Sequence, residues 1–359
     1  MNPLRLATAT AIALLQLAFG ASLASADDQL PPVKVSSIRR VFHNGEHNAF
    51  TDLCRFRDQL YLTFRSCPDG HMVHPTASVI ILRSKDEGAT WDQVHRFSVK
   101  DRDTRDPHFL VFRDQIFVYT GTWYSGPTTI APADYDMNKQ LGFAVSSGDG
   151  TTWNGPSMLD GTFGYYIWRA AAFGGKAFLC GRRKPGFDIG PKGEGDQIQS
   201  LMLESDDGLV WKKRAYFQET AGDETAFLFE NDGSVIALGR HGGGKNAQLL
   251  RSKPPYTDWN RRELDRPVGG PLIVKWGDRI IVGGRKTTKE EGPKTSLCWL
   301  VGDSLREFAE LPSGGDNSYP GFVALSNRRA LVSYYSSHER DASGKPITAI
   351  YIAELTLAP

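Results

Sequence analysis

An acidic and a basic side chain bracket a short hairpin pattern near the middle of the sequence. Glu224 opens one apolar run, the turn signal Asn231-Asp232-Gly233 follows, and a second apolar run ends at Arg240. Because a hairpin returns the chain to the side from which it started, Glu224 and Arg240 should lie at the same end of a sheet. Arginine binds carboxylate, sulfate or phosphate through paired hydrogen bonds, and a carboxylate can accept a proton. The pair therefore predicts one wall of a polar site.

The element that positions this pair, a short antiparallel hairpin, occurs six times along the chain. Its turns lie about 46 to 61 residues apart, the spacing of four-stranded propeller blades, and they fall at Arg57-Asp58, Arg113-Asp114, Gly174-Gly175, Asp232-Gly233, Gly277-Asp278 and Asn327-Arg328. Helix patterns are nearly absent, and Gly and Pro divide the apolar runs. We therefore predict an all-β fold, a six-bladed β-propeller of four-stranded antiparallel blades.

A second repeat falls between the hairpins. The pattern Ser-x-Asp-x-Gly-x-Thr-Trp is complete over residues 84–91, and partial copies occupy residues 146–153, 204–211 and 252–259. The second copy has Gly148 in the Asp place, and the third copy keeps Asp206. This repeat resembles the Asp-box, the turn between the third and fourth strands of a propeller blade. The resemblance implies a structural role, away from the active face.

The ends of the chain predict a leader and a closing strand. Residues 1–26 combine a basic start, an apolar stretch and the small residues Ala24-Ser25-Ala26, which is typical of a signal peptide cleaved after about Ala26. No later segment reaches the ~20 apolar residues that span a bilayer, so we expect a secreted or periplasmic protein with residues 27–359 as a single propeller domain. The sixth repeat is one strand short. We predict that residues 33–42 join the last blade as an N-terminal strand and close the ring.

The composition argues against several partners. The chain has 359 residues, 42 Lys and Arg, 41 Asp and Glu, and a formal charge of +1, without a basic run that would indicate nucleic acid or an anionic membrane as partner. Four cysteines allow three complete pairings, but Cys54, Cys180 and Cys298 lie in apolar patterns typical of buried thiols. No Cys, His or carboxylate positions have the spacing of metal ligands, so we expect no metal and no other cofactor. We expect a monomer.

In a propeller the innermost strand of each blade begins at one face, and the second strand returns to that face. Side chains at these places should surround one pocket, and they form a set rich in arginine: His47, Asp52, Arg65, Arg105, Asp106, Trp168, Arg169, Arg182, Glu224, Arg240, Arg285, Tyr319, Tyr335 and His338. Such a pocket suits an anionic ligand. Trp168 and Tyr335 could present stacking faces to a sugar, although packing between blades is the alternative role for large aromatic side chains.

The chain resembles the sialidase (neuraminidase) superfamily over essentially its whole mature length. Besides the hairpins and the Asp-box repeats, the matching motifs are Asp223-Glu224-Thr225-Ala226, Gly239-Arg240 and Ser318-Tyr319-Pro320-Gly321. The resemblance implies a retaining, exo-α-sialidase-like hydrolase in which Tyr319 is the nucleophile and Glu224 accepts its proton. It implies further that Arg240 and Arg285 bind an anionic group of the substrate. We therefore expect an exported hydrolase that acts on an anionic, possibly sialylated, glycan.

The first repeat departs from this superfamily in two places. The Phe/Tyr-Arg-Ile-Pro motif, whose Arg completes a carboxylate-binding triad, is replaced by residues 47–53, which contain no Arg. Arg105 and Arg169 are candidates to supply that charge from another blade. The acid/base Asp of the superfamily lies in the loop after the first hairpin, which here is residues 66–74. Candidates for the acid/base are therefore Asp69 and His71 in that loop, and Asp52 and Asp106 at strand starts.

Two other functions stay open at the level of the sequence. A polysaccharide lyase on a propeller would use His and Tyr to remove a proton beside a uronate carboxylate that Arg neutralises. A non-catalytic propeller that binds glycans is the second alternative, and the incomplete arginine triad favours it, since fold alone does not fix function. An unsaturated, absorbing product would identify a lyase, and the absence of any cleavage would identify a binding protein.

Overall fold

The computed structural model describes residues 30–186, 197–288, 290 and 292–358. Within these ranges 24 strands form six four-stranded sheets whose neighbouring strands run antiparallel, and the sheets are the blades of a β-propeller. The predicted all-β, six-bladed fold is thereby confirmed. The predicted signal peptide, residues 1–26, lies outside the described residues, so its cleavage stays a prediction.

Each of the first five blades is formed by four consecutive strands, and the sixth blade combines both ends of the domain. In chain order the strands are β1 (Val33–Phe42), β2 (His47–Phe56), β3 (Gln59–Cys67), β4 (Ser78–Ser84), β5 (Asp92–Phe97), β6 (Arg102–Phe112), β7 (Gln115–Tyr124), β8 (Leu141–Ser147), β9 (Asn154–Met158), β10 (Tyr166–Phe173), β11 (Lys176–Arg183), β12 (Gln199–Ser205), β13 (Lys212–Gln218), β14 (Gly222–Phe229), β15 (Val235–His241), β16 (Gln248–Ser252), β17 (Trp259–Glu263), β18 (Gly269–Trp276), β19 (Arg279–Thr288), β20 (Gly292–Val301), β21 (Ser304–Leu311), β22 (Asn317–Ala324), β23 (Arg329–Arg340) and β24 (Pro346–Leu357). Short 3-10 turns occupy Pro132–Asp134, Met137–Lys139 and Gly242–Gly244.

Tight turns close the innermost hairpins and fix their register. Between β2 and β3, Arg57 and Asp58 both have positive φ, 46° and 61°, and between β6 and β7 Arg113 and Asp114 have φ values of 48° and 58°. Two consecutive residues with positive φ are typical of the two-residue turn whose twist matches that of paired strands. The turn signals in the sequence therefore lie where the prediction placed them.

The outer turn of blade 1 is held by one aspartate. Asp86 accepts hydrogen bonds from Ser84 Oγ at 2.7 Å, from the Thr90 backbone nitrogen at 2.9 Å and from Thr90 Oγ1 at 2.6 Å. These hydrogen bonds lower the pKa of Asp86 to about 2. The turn joins β4 to β5, so its place and its structural role agree with the sequence interpretation.

In blades 2 and 3 the register assigned from the sequence was wrong by one residue. Asp149 accepts from the backbone nitrogens of the second and third residues after it, both at 2.7 Å, and Asp207 does the same at 2.8 and 2.9 Å. These two, rather than Gly148 and Asp206, take the aspartate place because each turn is one residue shorter than in blade 1. Asp206 instead forms an ion pair with Lys176 at 2.9 Å.

The predicted closure of the ring is confirmed. Strand β1 runs antiparallel to β24 and pairs Val33 with Leu357, so it supplies the outermost strand of blade 6. Arg39 on β1 also donates hydrogen bonds to the carbonyl oxygens of Gly88 and Ala89 in the outer turn of blade 1. Both ends of the domain are therefore fixed within the same blade, and β24 is paired along both of its edges.

The four cysteines are free thiols in the structure. Cys67, Cys180 and Cys298 are buried and Cys54 is half-buried, in agreement with the interpretation as packed thiols. Burial raises the pKa of Cys180 to about 11, which keeps this thiol protonated and unreactive at neutral pH. Among the described residues, no helix is long and apolar enough to cross a membrane.

Candidate active site

Every innermost strand contains a β-bulge near the same face of the propeller. One extra residue interrupts the pairing between Ala49 and Asp52, Arg105 and His108, Ile167 and Ala170, Gly222 and Thr225, Gly269 and Leu272, and Ser318 and Gly321. A bulge redirects side chains out of the alternating pattern. Phe50, Asp106 and Tyr319 lie in these bulges with positive φ of 62°, 49° and 50°. For residues other than glycine this conformation is strained by roughly 1 kcal/mol or more, a common feature of functional sites.

The bulges meet at a cavity of about 290 Å³ to which all six blades contribute. The sequence-predicted residues that line it are His71, Arg105, Asp106, Arg182, Glu224, Arg240, Arg285 and Tyr319. Residues that sequence reasoning missed complete the lining: Phe50, Val73, Trp123, Tyr135, Tyr166 and Asp316. The cavity is about the size of one sugar ring with its substituents, and its walls combine four guanidinium groups, three carboxyl groups and several aromatic rings.

The floor of the pocket contains a tyrosine bound to a carboxylate. Tyr319 donates from its hydroxyl to Glu224 Oε1 at 2.8 Å. Glu224 Oε2 accepts from Arg240 Nη1 at 2.9 Å and from the Gly270 backbone nitrogen at 3.1 Å. Burial, together with the negative charge of Glu224, raises the pKa of Tyr319 well above its usual range. The phenol is therefore protonated at rest, and the group placed to receive its proton is Glu224.

Arg240 belongs to a second layer of paired charges behind Glu224. Asp223 accepts from Arg182 Nη1 at 2.6 Å and lies 3.5 Å from Arg240 Nε. Although burial would raise the pKa of Asp223, the Arg182 and Arg240 guanidinium groups hold it below its usual range. The carboxylate of Asp223 is therefore charged, and it fixes both arginines in place at the pocket wall.

Asp106 is the buried carboxyl group opposite this pair. The Tyr166 hydroxyl donates to Asp106 Oδ2, and Oδ1 has no hydrogen-bond partner among the described residues. Burial raises the pKa of Asp106 to about 6; the charge of Glu224 adds to this, and Arg105 opposes it. A buried carboxyl group at the wall of a pocket that exchanges its proton near neutral pH and has one oxygen without a hydrogen-bond partner suits general acid/base chemistry.

Asp316 organises the side of the pocket that blade 1 and blade 6 share. Its Oδ2 lies 3.1 Å from His47 Nε2 and 2.7 Å from His71 Nδ1. Its Oδ1 accepts from the Tyr335 hydroxyl at 2.9 Å and from Arg285 Nη1 at 3.3 Å. Burial would raise the pKa of Asp316, but the two histidines hold it far below its usual range. Burial lowers the pKa of His47.

Three of the predicted residues lie beneath the pocket instead of lining it. Asp52 accepts from Arg169 Nη1 at 2.9 Å and from the Phe109 backbone nitrogen at 2.9 Å, and Arg169 also donates to Pro320 O at 2.6 Å. These contacts join blades 1, 2, 3 and 6 around the central axis. Trp168 is 1% exposed and meets the Tyr319 ring edge-on at 6.3 Å, so it supports the tyrosine and has no face free for a sugar.

Two further arginines, one of them paired with Asp103, donate hydrogen bonds to the backbone of the loop after β3. Arg65 has no exposed surface, forms two 2.9 Å hydrogen bonds with Asp103 and donates to the carbonyl oxygens of Gly70 and Met72. Arg65 therefore fixes the loop that presents His71. Arg105 Nη2 donates to His71 O at 3.3 Å, and the Arg105 guanidinium lies 4.9 Å from the centre of the Phe50 ring.

Asp69 and Tyr335 also lie away from the pocket surface. Asp69 is exposed and accepts from Thr76 Oγ1 at 2.6 Å, and it is not among the lining residues. Tyr335 has no exposed surface and contributes through its hydrogen bond to Asp316 and by packing against the rings of Phe50 and Tyr319. Of the residues that sequence reasoning missed, Asp316 could have been found, because it immediately precedes the strand that contains Tyr319 and lies three positions before that residue. Trp123 lies near the end of β7 and Tyr135 in the segment between β7 and β8, and no sequence pattern marks either residue.

Comparisons with known proteins agree with this architecture. No family model and no curated protein match the sequence. A Dyadobacter fermentans protein of unknown function superposes with a TM-score of 0.75 at 20% identity, covering 92% of this chain and 100% of that one. Phage phi92 endosialidase superposes with a TM-score of 0.64 at 10% identity, covering 90% of this chain and 69% of the endosialidase chain. Trypanosoma rangeli sialidase superposes with a TM-score of 0.63 at 11% identity, covering 89% of this chain and 58% of the sialidase chain. At these identities the likeness shows the fold alone: the chain has the six-bladed propeller fold that these sialidases share.

Proposed function

We propose that this chain is an exported, retaining glycoside hydrolase of the sialidase type that acts on an anionic, possibly sialylated, glycan. The observation that carries the proposal is the 2.8 Å hydrogen bond from the Tyr319 hydroxyl to Glu224 Oε1 at the floor of a polar pocket. Sialidases are the glycosidases that use a tyrosine nucleophile in place of a carboxylate. A neutral phenol also approaches an anionic sugar at a smaller electrostatic cost than a carboxylate would.

In the first step Tyr319 Oη attacks the anomeric carbon and transfers its proton to Glu224. The glycosidic carbon–oxygen bond breaks, and Asp106 donates its proton to the departing oxygen. In the second step the Asp106 carboxylate takes a proton from water, whose oxygen attacks the same carbon and breaks its bond to Tyr319. The Tyr319 oxygen then recovers its proton from Glu224. Asp106 thus takes the acid/base role for which Asp69, His71 and Asp52 were also candidates; its burial, its free oxygen and its pKa near 6 support this choice.

Arg240 and Arg285 would bind the anionic group of the sugar. Both line the pocket, and the Arg285 guanidinium lies 5.5 Å from the centre of the Tyr319 ring, so a ligand bound there lies beside the nucleophile. A second cavity of about 550 Å³ shares Arg240 and Arg285 with the pocket. That cavity leaves space for the remainder of a glycan on the blade 4 and blade 5 side.

The test is a panel of fluorogenic sialosides and other anionic glycosides, assayed with the wild type and with Tyr319→Phe. We expect cleavage of at least one anionic glycoside and its loss in the variant. Tyr334→Phe is the matched control, because Tyr334 is also buried in blade 6 and its hydroxyl has no hydrogen-bond partner among the described residues. Mass spectrometry after reaction with a fluorinated, slowly released substrate analogue should place the sugar on Tyr319. Cleavage that persists in Tyr319→Phe would contradict the nucleophile.

One observation favours a non-catalytic propeller that binds glycans. The blade 1 motif that carries an arginine of the superfamily's carboxylate clamp is replaced here by residues 47–53, which contain no Arg, and Arg285 is already paired with Asp316 at 3.3 Å. Such a protein would bind anionic glycans equally well with Tyr319→Phe and would cleave none. A lyase would instead release an unsaturated uronate that absorbs in the ultraviolet, so the same panel with absorbance detection separates all three functions.

A further inference from the structure

Three potential metal ligands from distant parts of the sequence meet at the rim of the pocket. His47 begins β2, His71 lies in the loop after β3, and Asp316 immediately precedes β22. Among the residues that the structure describes, this is the one place where three His, Cys, Asp or Glu ligand atoms lie within 4.8 Å of one another. His47 and Asp316 are half-buried and His71 is exposed, so the group is reachable from the pocket.

We propose that His47, His71 and Asp316 form a binding site for one divalent transition-metal ion, with zinc as the preferred ion. Two imidazole nitrogens and one carboxylate oxygen are a donor set that suits zinc and its neighbours, whereas calcium and magnesium prefer oxygen ligands alone. Three protein ligands leave a fourth position for a water molecule or a substrate oxygen.

The ligand atoms already lie close together, all three within 4.8 Å of one another. His47 Nε2 and His71 Nδ1 lie 3.1 and 2.7 Å from the same oxygen, Asp316 Oδ2. Bonds of about 2.1 Å to a tetrahedral zinc ion separate its ligands by about 3.4 Å, so each histidine nitrogen needs to move away from Asp316 Oδ2 by less than about 1 Å. The two imidazole rings stand nearly perpendicular, at 78°, with their centres 5.4 Å apart, which keeps them from overlapping.

The surroundings hold the carboxylate in place for this role. Asp316 Oδ1 accepts from the Tyr335 hydroxyl at 2.9 Å and from Arg285 Nη1 at 3.3 Å, which orients the carboxyl group and leaves Oδ2 to the histidines. Hydrogen bonds of this kind to a ligating carboxylate raise the affinity of metal sites. The Arg65 contacts to Gly70 O and Met72 O fix the loop on both sides of His71.

The position gives the ion a role in substrate binding. His47 begins the segment, residues 47–53, that replaces the arginine-bearing motif of the superfamily, so a metal ion held by His47 and Asp316 would supply a positive charge near Arg285. This role rests on the proposed function, but the binding of the ion does not. A protein that binds zinc at this site and cleaves no glycoside would contradict the hydrolase and leave the metal site intact.

The test is calorimetric titration of the full chain with zinc chloride after removal of metals by EDTA and dialysis. We expect one equivalent to bind, and we expect His71→Ala to weaken binding by about 100-fold or more. His74→Ala is the matched control, since His74 lies in the same loop, is partly exposed and contacts Thr129 Oγ1 at 2.8 Å instead of the cluster. His74→Ala should bind zinc as the wild type does.

A spectroscopic readout makes the test independent of activity. Cobalt(II) in a four-coordinate site with two histidines absorbs visible light strongly, and we expect this band in the wild type and in His74→Ala but not in His71→Ala. Circular dichroism shows whether each variant is folded, and the 46% exposure of the His71 side chain indicates that its truncation leaves the blade intact. The proposal is overturned if wild type and His71→Ala bind zinc equally, or if neither binds it.

Discussion

Replacing Asp106 by asparagine should stabilise this protein at neutral pH. Asn keeps an oxygen for the Tyr166 hydroxyl and tolerates the positive φ of 49° that Asp106 adopts. The pKa of Asp106 rises from an ordinary 3.8 to about 6 on folding, because burial opposes its ionisation. The folded state therefore binds the proton more tightly than the unfolded chain does. The free energy of unfolding should fall as the pH rises from about 4 to about 6, and this loss should stay constant above that range.

The size of the effect follows from the pKa difference of about 2.2 units, at about 1.4 kcal/mol each. Ionised Asp106 thus costs about 3 kcal/mol at pH 7, and Asp106→Asn should recover most of it. Guanidinium unfolding, followed by tryptophan fluorescence at pH 4 and pH 7, measures the difference between variant and wild type. That difference should grow by about 2 kcal/mol between the two pH values, because the unfolded chain is already partly ionised at pH 4.

A matched control separates this effect from a general benefit of removing charge. Asp114 lies in the exposed turn between β6 and β7, also has a positive φ, 58°, and forms part of the same hairpin as Asp106. Asp114→Asn should change the free energy of unfolding by less than about 0.5 kcal/mol at either pH. If Asp106→Asn shows no pH-dependent gain over the wild type, or is less stable at pH 7, the assigned ionisation of Asp106 is incorrect.

Three further outcomes follow from the same structure. If Asp106 is the general acid, kcat/KM should fall about tenfold per pH unit above about 6, as measured by steady-state rates on any glycoside that the protein cleaves. A kcat/KM that stays level across this pH range would argue against that role. Arg65→Met should lower the free energy of unfolding by about 3 to 5 kcal/mol, measured by guanidinium denaturation, because buried Asp103 loses both 2.9 Å hydrogen bonds to Arg65 and keeps, among the described residues, only the longer contact with Arg105 Nη1, at 3.4 Å, as a charged partner; an unchanged midpoint would refute this. Gly321→Ala should lower the free energy of unfolding by about 2 kcal/mol in the same assay, since the added Cβ would lie 2.4 Å from a backbone nitrogen of blade 1. Gly148→Ala is the control: its Cβ would have no atom within 4 Å, so the free energy of unfolding should hardly change.

The sequence was sufficient for the fold because its signals are local and repeated. Turns such as Arg57-Asp58 recur at blade spacing, and the missing strand of the last repeat identified residues 33–42 as the closing strand. The hairpin argument also placed Glu224 and Arg240 at one end, and their side chains lie 2.9 Å apart. The outer turns were misassigned in blades 2 and 3 since two adjacent residues could each occupy the aspartate place in a turn of unknown length.

The site was less predictable because the bulges cannot be read from the pattern. An extra residue in each innermost strand decides whether a side chain enters the pocket, so Asp106, within the bulge of β6, lines it, while Asp52, which follows the bulge of β2, lies beneath it. No hydrophobic period marks such an insertion. The cluster of His47, His71 and Asp316 was invisible for a different reason. Its members are far apart in the sequence, and only the closed ring brings blade 1 beside blade 6.

The pairing of β1 with β24 also governs the order in which the molecule can be assembled. Blades 1 to 5 are each formed from consecutive strands, so each can form as soon as its own segment has been synthesised. Blade 6 must wait, because the strand made first pairs with the strand made last. The candidate site draws His71 from blade 1 and Tyr319 from blade 6, so it is completed only at that final step. A chain that stops before β24 should therefore hold most of the blades but lack the complete candidate site and the proposed activity.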